Sequence, residues 1–101
     1  MDVMKKIEII TDSLELEKIF SILDREGISG YTVIRDVVGK GRRGVRRGDL
    51  LTDAMNNSYI ITVCPEEKVA SIVKSLRPIL KKFGGVCVIC DCQLMTHQSI
   101  S

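Results

Sequence analysis

The sequence predicts an α+β fold in which two βαβ halves share one four-stranded antiparallel sheet, with both helices on the same face. Two observations carry this prediction. Four short runs rich in β-branched residues alternate with two segments whose apolar residues recur at helical spacing. The resulting order is strand, helix, strand, long loop, strand, helix, strand. Two such halves interleave into the ferredoxin-like βαββαβ arrangement.

The first half begins with a strand over residues 4–10. A helix follows, and Asp12 and Glu15 at its start have the spacing of a capping box. Gly27 is expected to end this helix because glycine readily takes up the left-handed conformation found there. The second strand is predicted over residues 30–38.

The second half begins with a strand over residues 58–64, and Pro65 then opens a helix. Pro78 is expected to kink or end that helix near its last turn. Gly84-Gly85 breaks the chain before a strand over residues 86–94. The apolar face of the helix is predicted to comprise Val69, Ile72, Val73, Leu76 and Leu80.

The 101 residues indicate a single domain, 1–101, with a long loop at 39–57 and a C-terminal tail at 95–101. No apolar run approaches the roughly 18 residues of a membrane span, and no signal-peptide pattern is seen, so we expect a cytoplasmic protein with reduced thiols. Two Phe, two Tyr and no Trp make a thin core. We therefore expect another copy of the chain to cover the sheet face that the helices leave open.

The strongest functional signal lies at the start of the long loop, where five of the fifteen Lys and Arg residues fall within 40–47. Without them the balance is 10 basic against 13 acidic residues, so the cations are local. Glycines allow close backbone approach to an anion, and arginines add forked donors suited to phosphate. The segment reads Gly39-Lys40-Gly41-Arg42-Arg43-Gly44-Val45-Arg46. It favours one phosphorylated ligand over a nucleic-acid track, although a solvated hairpin tip would have a similar composition. It lacks the terminal Lys-Ser/Thr of a P-loop.

The cysteines do not form a convincing metal motif. Strand alternation places Cys90 and Cys92 on one face and Cys87 on the other, while Cys64 lies elsewhere in the chain. His97 stands alone in the tail, and no nucleophile with a partnering base can be identified. We therefore predict no metal site and no catalytic residues, and interpret the protein as a non-enzyme.

Three segments resemble the PII signalling superfamily over residues 4–95. The start of PII proteins is similar to the opening Met4-Lys5-Lys6-Ile7-Glu8-Ile9-Ile10. Their Gly-x-Thr-Val resembles Gly30-Tyr31-Thr32-Val33. Their strand-to-helix junction is similar to Val63-Cys64-Pro65-Glu66-Glu67. Residues 39–46 resemble the Gly-Lys-Gly-x-Arg-x-Val-Arg of the PII-like branch that regulates bicarbonate uptake. The chain lacks the Gly-Asp-Gly-Lys stretch of the nitrogen-signalling branch and the cysteine-rich tail that many bicarbonate-branch members carry.

The resemblance implies a homotrimeric signal-transduction regulator with an adenine nucleotide (AMP, cAMP, ADP or ATP) in each cleft between subunits. Its target would be a membrane transporter of the bicarbonate type, which would recruit it to the membrane. The nucleotide-binding residues implied are Thr32, Gly39, Lys40, Gly41, Arg43, Arg46, Gly84 and Gly85.

Four alternatives remain open from the sequence. A nitrogen-regulatory-type PII protein and a CutA-like metal-responsive trimer would share the fold. A nucleic-acid-binding domain would need aromatic side chains for stacking, for which Tyr31 and Tyr59 are the candidates. A weak phosphohydrolase would need a metal held by Asp36, Asp49 or Asp53.

Overall fold

The computed structural model describes residues 2–38 and 56–95, and they form the predicted succession of four strands and two helices. A short 3-10 turn precedes each helix, at Ser13–Glu15 and Glu66–Lys68. The elements are β1 (Asp2–Asp12), α1 (Leu16–Arg25), β2 (Tyr31–Val37), β3 (Asn57–Cys64), α2 (Val69–Phe83) and β4 (Val86–Leu94). The predicted loop 39–57 thus ends one residue into β3, and residues 39–55 lie outside the described part.

The four strands form one antiparallel sheet in the order β2-β3-β1-β4. Each half contributes one inner and one edge strand, so the predicted ferredoxin-like fold is confirmed. In the register of the sheet, Ile9 of β1 lies opposite Ile60 of β3 on one side and Cys87 of β4 on the other. One end of the sheet carries both the long loop and the Gly84-Gly85 turn. β2 ends and β3 begins there, before and after the long loop, β4 begins there after the turn, and β1 also ends there.

One face of the sheet and the two helices enclose the core. Its centre is formed by Ile7 and Ile9 of β1 and Ile60 of β3, none of which is exposed. The helices contribute residues at the predicted spacing, and Ile19, Leu23, Ile72 and Leu76 are buried with them. Burial of these side chains provides the main driving force for folding, at about 25 cal/mol per Å² of apolar surface.

The start of α1 differs from the expected capping box. The Asp12 carboxylate accepts a hydrogen bond from the Leu14 backbone N–H at 2.9 Å and so caps the 3-10 turn. The buried Glu15 carboxylate does not complete a capping box; its Oε1 lies 3.2 Å from Lys18 Nζ. The regular helix consequently begins only at Leu16.

The two helix ends show how far single residues control their elements. Gly27 has φ of +77° and donates its N–H to Asp24 O at 3.0 Å, which confirms it as the stop of α1. By contrast, α2 runs through Pro78 and ends at Phe83, so Pro78 does not end the helix. The buried residues Ile72 and Leu76 hold α2 against the sheet, and this packing outweighs the missing proline N–H.

Candidate functional site

The structure describes three of the eight predicted nucleotide-binding residues, Thr32, Gly84 and Gly85. The other five, which carry the predicted phosphate contacts, lie outside the described residues; they are Gly39, Lys40, Gly41, Arg43 and Arg46. The geometry of the site is therefore built from the sheet and the turns around it.

Thr32 lies near the start of β2 and is exposed. It is opposite Ile61 of β3, on the sheet face that carries no helix. Its hydroxyl makes no hydrogen bond within residues 2–38 and 56–95, so it can donate to or accept from a ligand. Thr32 borders an open cleft of about 790 Å³. The lining is formed by Gly27, Ile28, Ser29, Gly30, Tyr31, Thr32, Ile61, Thr62, Val63, Pro65 and Lys68.

Hydrogen bonds hold the walls of this cleft in place. Thr62 Oγ1 donates to Gly30 O at 2.6 Å, which ties β3 to the segment that leads into β2. Lys68 Nζ donates to Glu26 O at 2.5 Å and so links the end of α1 to the start of α2. Because Lys68 is held by this carbonyl, it places a positive charge at the edge of the cleft and at the negative end of α1.

Gly84 and Gly85 form a turn packed tightly against the end of β1. Gly84 has φ of +85° and accepts a hydrogen bond at its carbonyl from Thr11 Oγ1 at 2.9 Å. Gly85 has φ of +122°, and a Cβ atom there would lie 2.4 Å from Ile10 O. Both positions therefore have a structural requirement for glycine, in addition to any contact with a ligand.

Thr32 and the Gly84-Gly85 turn lie at opposite edges of the sheet. Thr32 is on the edge strand β2, the turn leads into the edge strand β4, and two strands lie between them. Three strand spacings amount to about 14 Å, and the register adds an offset along the strands. Within one chain the structure does not bring these predicted site residues together.

A β-bulge at Asp36 was not predicted from the sequence. The pairing shifts between Arg35, opposite Ser58, and Val37, opposite Asn57. Asp36 has φ of +62°, a left-handed conformation that Asp adopts more readily than most residues. The bulge changes the direction of β2 at the end of the strand that leads to the long loop. It lies two residues before Val38, where the first described stretch ends.

The cysteines lie as strand alternation predicted. Cys87 is opposite the buried Ile9 on the helix-covered face, whereas Cys90 and Cys92 are on the open face. Burial raises the pKa of the Cys64 and Cys87 thiols. Across the two described stretches, no three His, Cys, Asp or Glu side chains cluster to hold a metal ion. In the same stretches no helix has the length and apolar character needed to cross a membrane.

Comparisons with known proteins agree with this fold over nearly the whole chain. The family described as nitrogen regulatory protein P-II matches residues 4–98. A UPF0166 protein of Methanocaldococcus jannaschii, MJ1524, is 37% identical over 82 residues, which are 80% of this chain and 75% of that protein.

Similar solved structures include CPII from Thiomonas intermedia K12, a nitrogen regulatory PII-like protein. Its complex with ADP, AMP and bicarbonate superposes with a TM-score of 0.80 at 32% identity, over 92% of this chain and 89% of CPII. Its apo form gives a TM-score of 0.77 at 28% identity, over 92% of each chain. Together with the P-II match over residues 4–98, the sheet order and the paired helices show that this chain belongs to the P-II family.

Proposed function

We propose that this protein is a cytoplasmic signalling regulator that binds an adenine nucleotide in clefts between the subunits of a homotrimer. The nucleotide controls how loop 39–57 engages a target, which is a membrane transporter of the bicarbonate type. Engagement recruits the protein to the membrane. The protein senses the nucleotide and does not transform it.

The observation that carries this proposal is the similarity to CPII, which has been solved with ADP, AMP and bicarbonate. The sequence supports it with the cationic segment 39–46, whose Lys40, Arg43 and Arg46 are suited to the phosphates. In the proposed site Gly39 and Gly41 let the backbone approach the phosphates closely. Thr32 contributes to the adenine pocket.

The positions of Thr32 and Gly84-Gly85 favour a site between subunits. They lie at opposite edges of one sheet, about 14 Å apart across the strands. A nucleotide that contacts both therefore takes Thr32 from one subunit and the glycine turn from the next. The ligand site is complete only in the oligomer, which makes nucleotide binding and assembly dependent on each other.

In the proposed mechanism the signal passes from the nucleotide site to the loop through the start of the loop, which binds the phosphates. A nucleotide shifts the loop between two states only if it binds one of them more tightly. In this proposal Lys40, Arg43 and Arg46 provide the difference, because they would contact phosphate in one state and solvent in the other. The Asp36 bulge sets the direction in which the chain leaves β2 toward this segment.

Calorimetric titration with AMP, cAMP, ADP and ATP in turn, with and without magnesium, tests the proposal. We expect saturable binding near one nucleotide per chain for at least one of the four. Repeating the titrations in bicarbonate tests whether the protein belongs to the branch that regulates bicarbonate uptake, because bicarbonate should then change nucleotide affinity. Absence of binding to all four nucleotides would reject the proposal. Overnight incubation with ATP and magnesium checks that the nucleotide is not hydrolysed.

A pair of arginine variants locates the phosphates. We expect Arg46→Ala to weaken nucleotide affinity by about 10- to 100-fold, because a charge-assisted hydrogen bond contributes about 1.5–3 kcal/mol. Arg42→Ala removes the same charge at the first variable position of the motif and should change affinity by less than about threefold. Equal effects of the two variants would show that general charge, and not a defined phosphate contact, determines affinity.

A further inference from the structure

The open face of the sheet is largely apolar and has no cover among the described residues. Both helices pack on the opposite face, and Ile34, Val86 and Val88 remain 53%, 46% and 44% exposed. By the strand register, the apolar side chains on this face are Met4, Ile10, Ile34, Ile61, Val63, Val86, Val88 and Leu94. A face of this composition is typical of a sheet that packs against another protein surface.

Three polar side chains interrupt this apolar face near its centre, and we call them the polar trio. Tyr59 of β3 donates its hydroxyl to Glu8 Oε2 of β1. Lys6 Nζ lies 3.9 Å from Glu8 Oε1, at the outer limit of an ion pair. The hydrogen bond to Glu8, followed by burial, raises the pKa of Tyr59. All three side chains are half-buried in the single chain.

The polar trio has hydrogen-bonding capacity beyond what one chain uses. The Lys6 ammonium has three donors, and the Glu8 ion pair at 3.9 Å engages it only weakly. Glu8 retains acceptor sites beside the Tyr59 bond. The face therefore presents both a positive and a negative group, so a second copy offers the complement of each.

This self-complementarity favours copies of the same chain as the partner. In a closed ring each copy can direct Lys6 toward Glu8 of the next, and the rotation that satisfies one contact satisfies all of them. A polar group inside an apolar interface adds little affinity but penalises every packing in which it is left unpaired. Single polar residues in coiled-coil cores set register in this way.

We propose that the polar trio of Lys6, Glu8 and Tyr59 selects the register and number of copies that pack on their open faces. The apolar side chains supply the affinity of the assembly, and the trio supplies its specificity. This inference rests on the homotrimer of the proposed function and identifies the residues that define it.

Two conservative variants test the proposal. Tyr59→Phe removes one hydroxyl, and Glu8→Gln removes one charge, so neither changes the size of the side chain much. Light scattering after size exclusion, over a series of protein concentrations, together with native mass spectrometry, gives the number of copies and the dissociation constant. We expect each variant to raise the dissociation constant about tenfold or more and to populate additional oligomers, because a buried carboxylate or lysine loses its partner.

The matched control is Tyr31→Phe, which removes a tyrosine hydroxyl on the helix-covered face, where the ring stacks on Phe20 at 5.1 Å. It should keep the wild-type number of copies. The triple variant Lys6→Met, Glu8→Leu and Tyr59→Phe replaces all three polar groups of the trio and leaves the centre of the face apolar. We expect it to associate at least as strongly as the wild type but into a mixture of oligomers.

Wild-type stoichiometry and dissociation constant in both single variants would overturn the proposal. A discrete oligomer of unchanged copy number from the triple variant would overturn it as well. Circular dichroism confirms that each variant is folded. Nucleotide titration of the wild type separates the two hypotheses: a trimer that binds no nucleotide contradicts the proposed function alone, and unchanged assembly of the variants contradicts the polar trio alone.

Discussion

The two faces of the sheet are built from the same four strands but have different surroundings. On the helix-covered face Ile7, Ile9 and Ile60 are fully buried. On the open face Ile34 of β2 and Val88 of β4 stay about half exposed. Many antiparallel sheets pair one apolar face with one polar face. Here both faces are apolar, and the chain contributes helices to only one of them, so the open face is incomplete in the single chain.

The largest expected difference between the faces concerns two neighbouring residues of β3. Ile60→Ala should lower the free energy of unfolding by about 2–5 kcal/mol, because it leaves a cavity in the core. Ile61→Ala, on the open face, should cost less in the single chain and should weaken association instead. Urea unfolding at two protein concentrations measures both effects. A loss for Ile61→Ala that equals that of Ile60→Ala at both concentrations would contradict the distinction between the faces.

A second prediction concerns the turn where α2 passes into β4. Gly85→Ala should lower the free energy of unfolding by about 1–3 kcal/mol or more, since its φ is +122° and a Cβ would approach Ile10 O to 2.4 Å. Gly30→Ala is the matched control, because a Cβ at Gly30 would have no atom within 4 Å. Thermal unfolding of both variants measures the difference. Equal stability of the two variants would indicate that the turn relaxes freely away from β1.

The smallest predicted effect is a difference in thiol reactivity between the two faces of the sheet. Burial raises the pKa of Cys87 and of Cys64, so both thiols should resist alkylation near pH 8 at every protein concentration. Cys90 and Cys92, on the open face, should become more reactive on dilution as copies separate. Mass spectrometry of peptides after timed iodoacetamide labelling locates the modified residues. Labelling of Cys87 as fast as Cys90 would place both on accessible surfaces.

The same thiols predict the direction of a pH effect on stability. A cysteine whose pKa is higher in the folded than in the unfolded state binds its proton more tightly when folded. Its contribution to stability is therefore complete below the ordinary thiol pKa and is lost as the pH rises through the folded value. Chemical unfolding between pH 7 and pH 10 should show stability falling on the alkaline side.

Much of the fold was predictable from local patterns. Helical spacing identified Ile72 and Leu76 as core residues of α2, and glycine chemistry identified Gly27 as the end of α1. Strand alternation separated Cys87 from Cys90 and Cys92. These inferences succeeded because helix and strand periods place side chains before any tertiary contact forms. Proline chemistry was a weaker guide, since packing of Ile72 and Leu76 carries α2 past Pro78.

The sequence by itself determined the order of elements, the core-facing side of α2 and membership of a family. The tertiary structure alone decided which residues from different elements are neighbours. It paired Tyr59 with Glu8, placed a bulge at Asp36 and set Thr32 across the sheet from Gly85. These relations depend on strand order and register, which bring together residues 51 positions apart, as with Tyr59 and Glu8. Local propensity carries no information about such pairings, because they follow from the way the whole sheet packs.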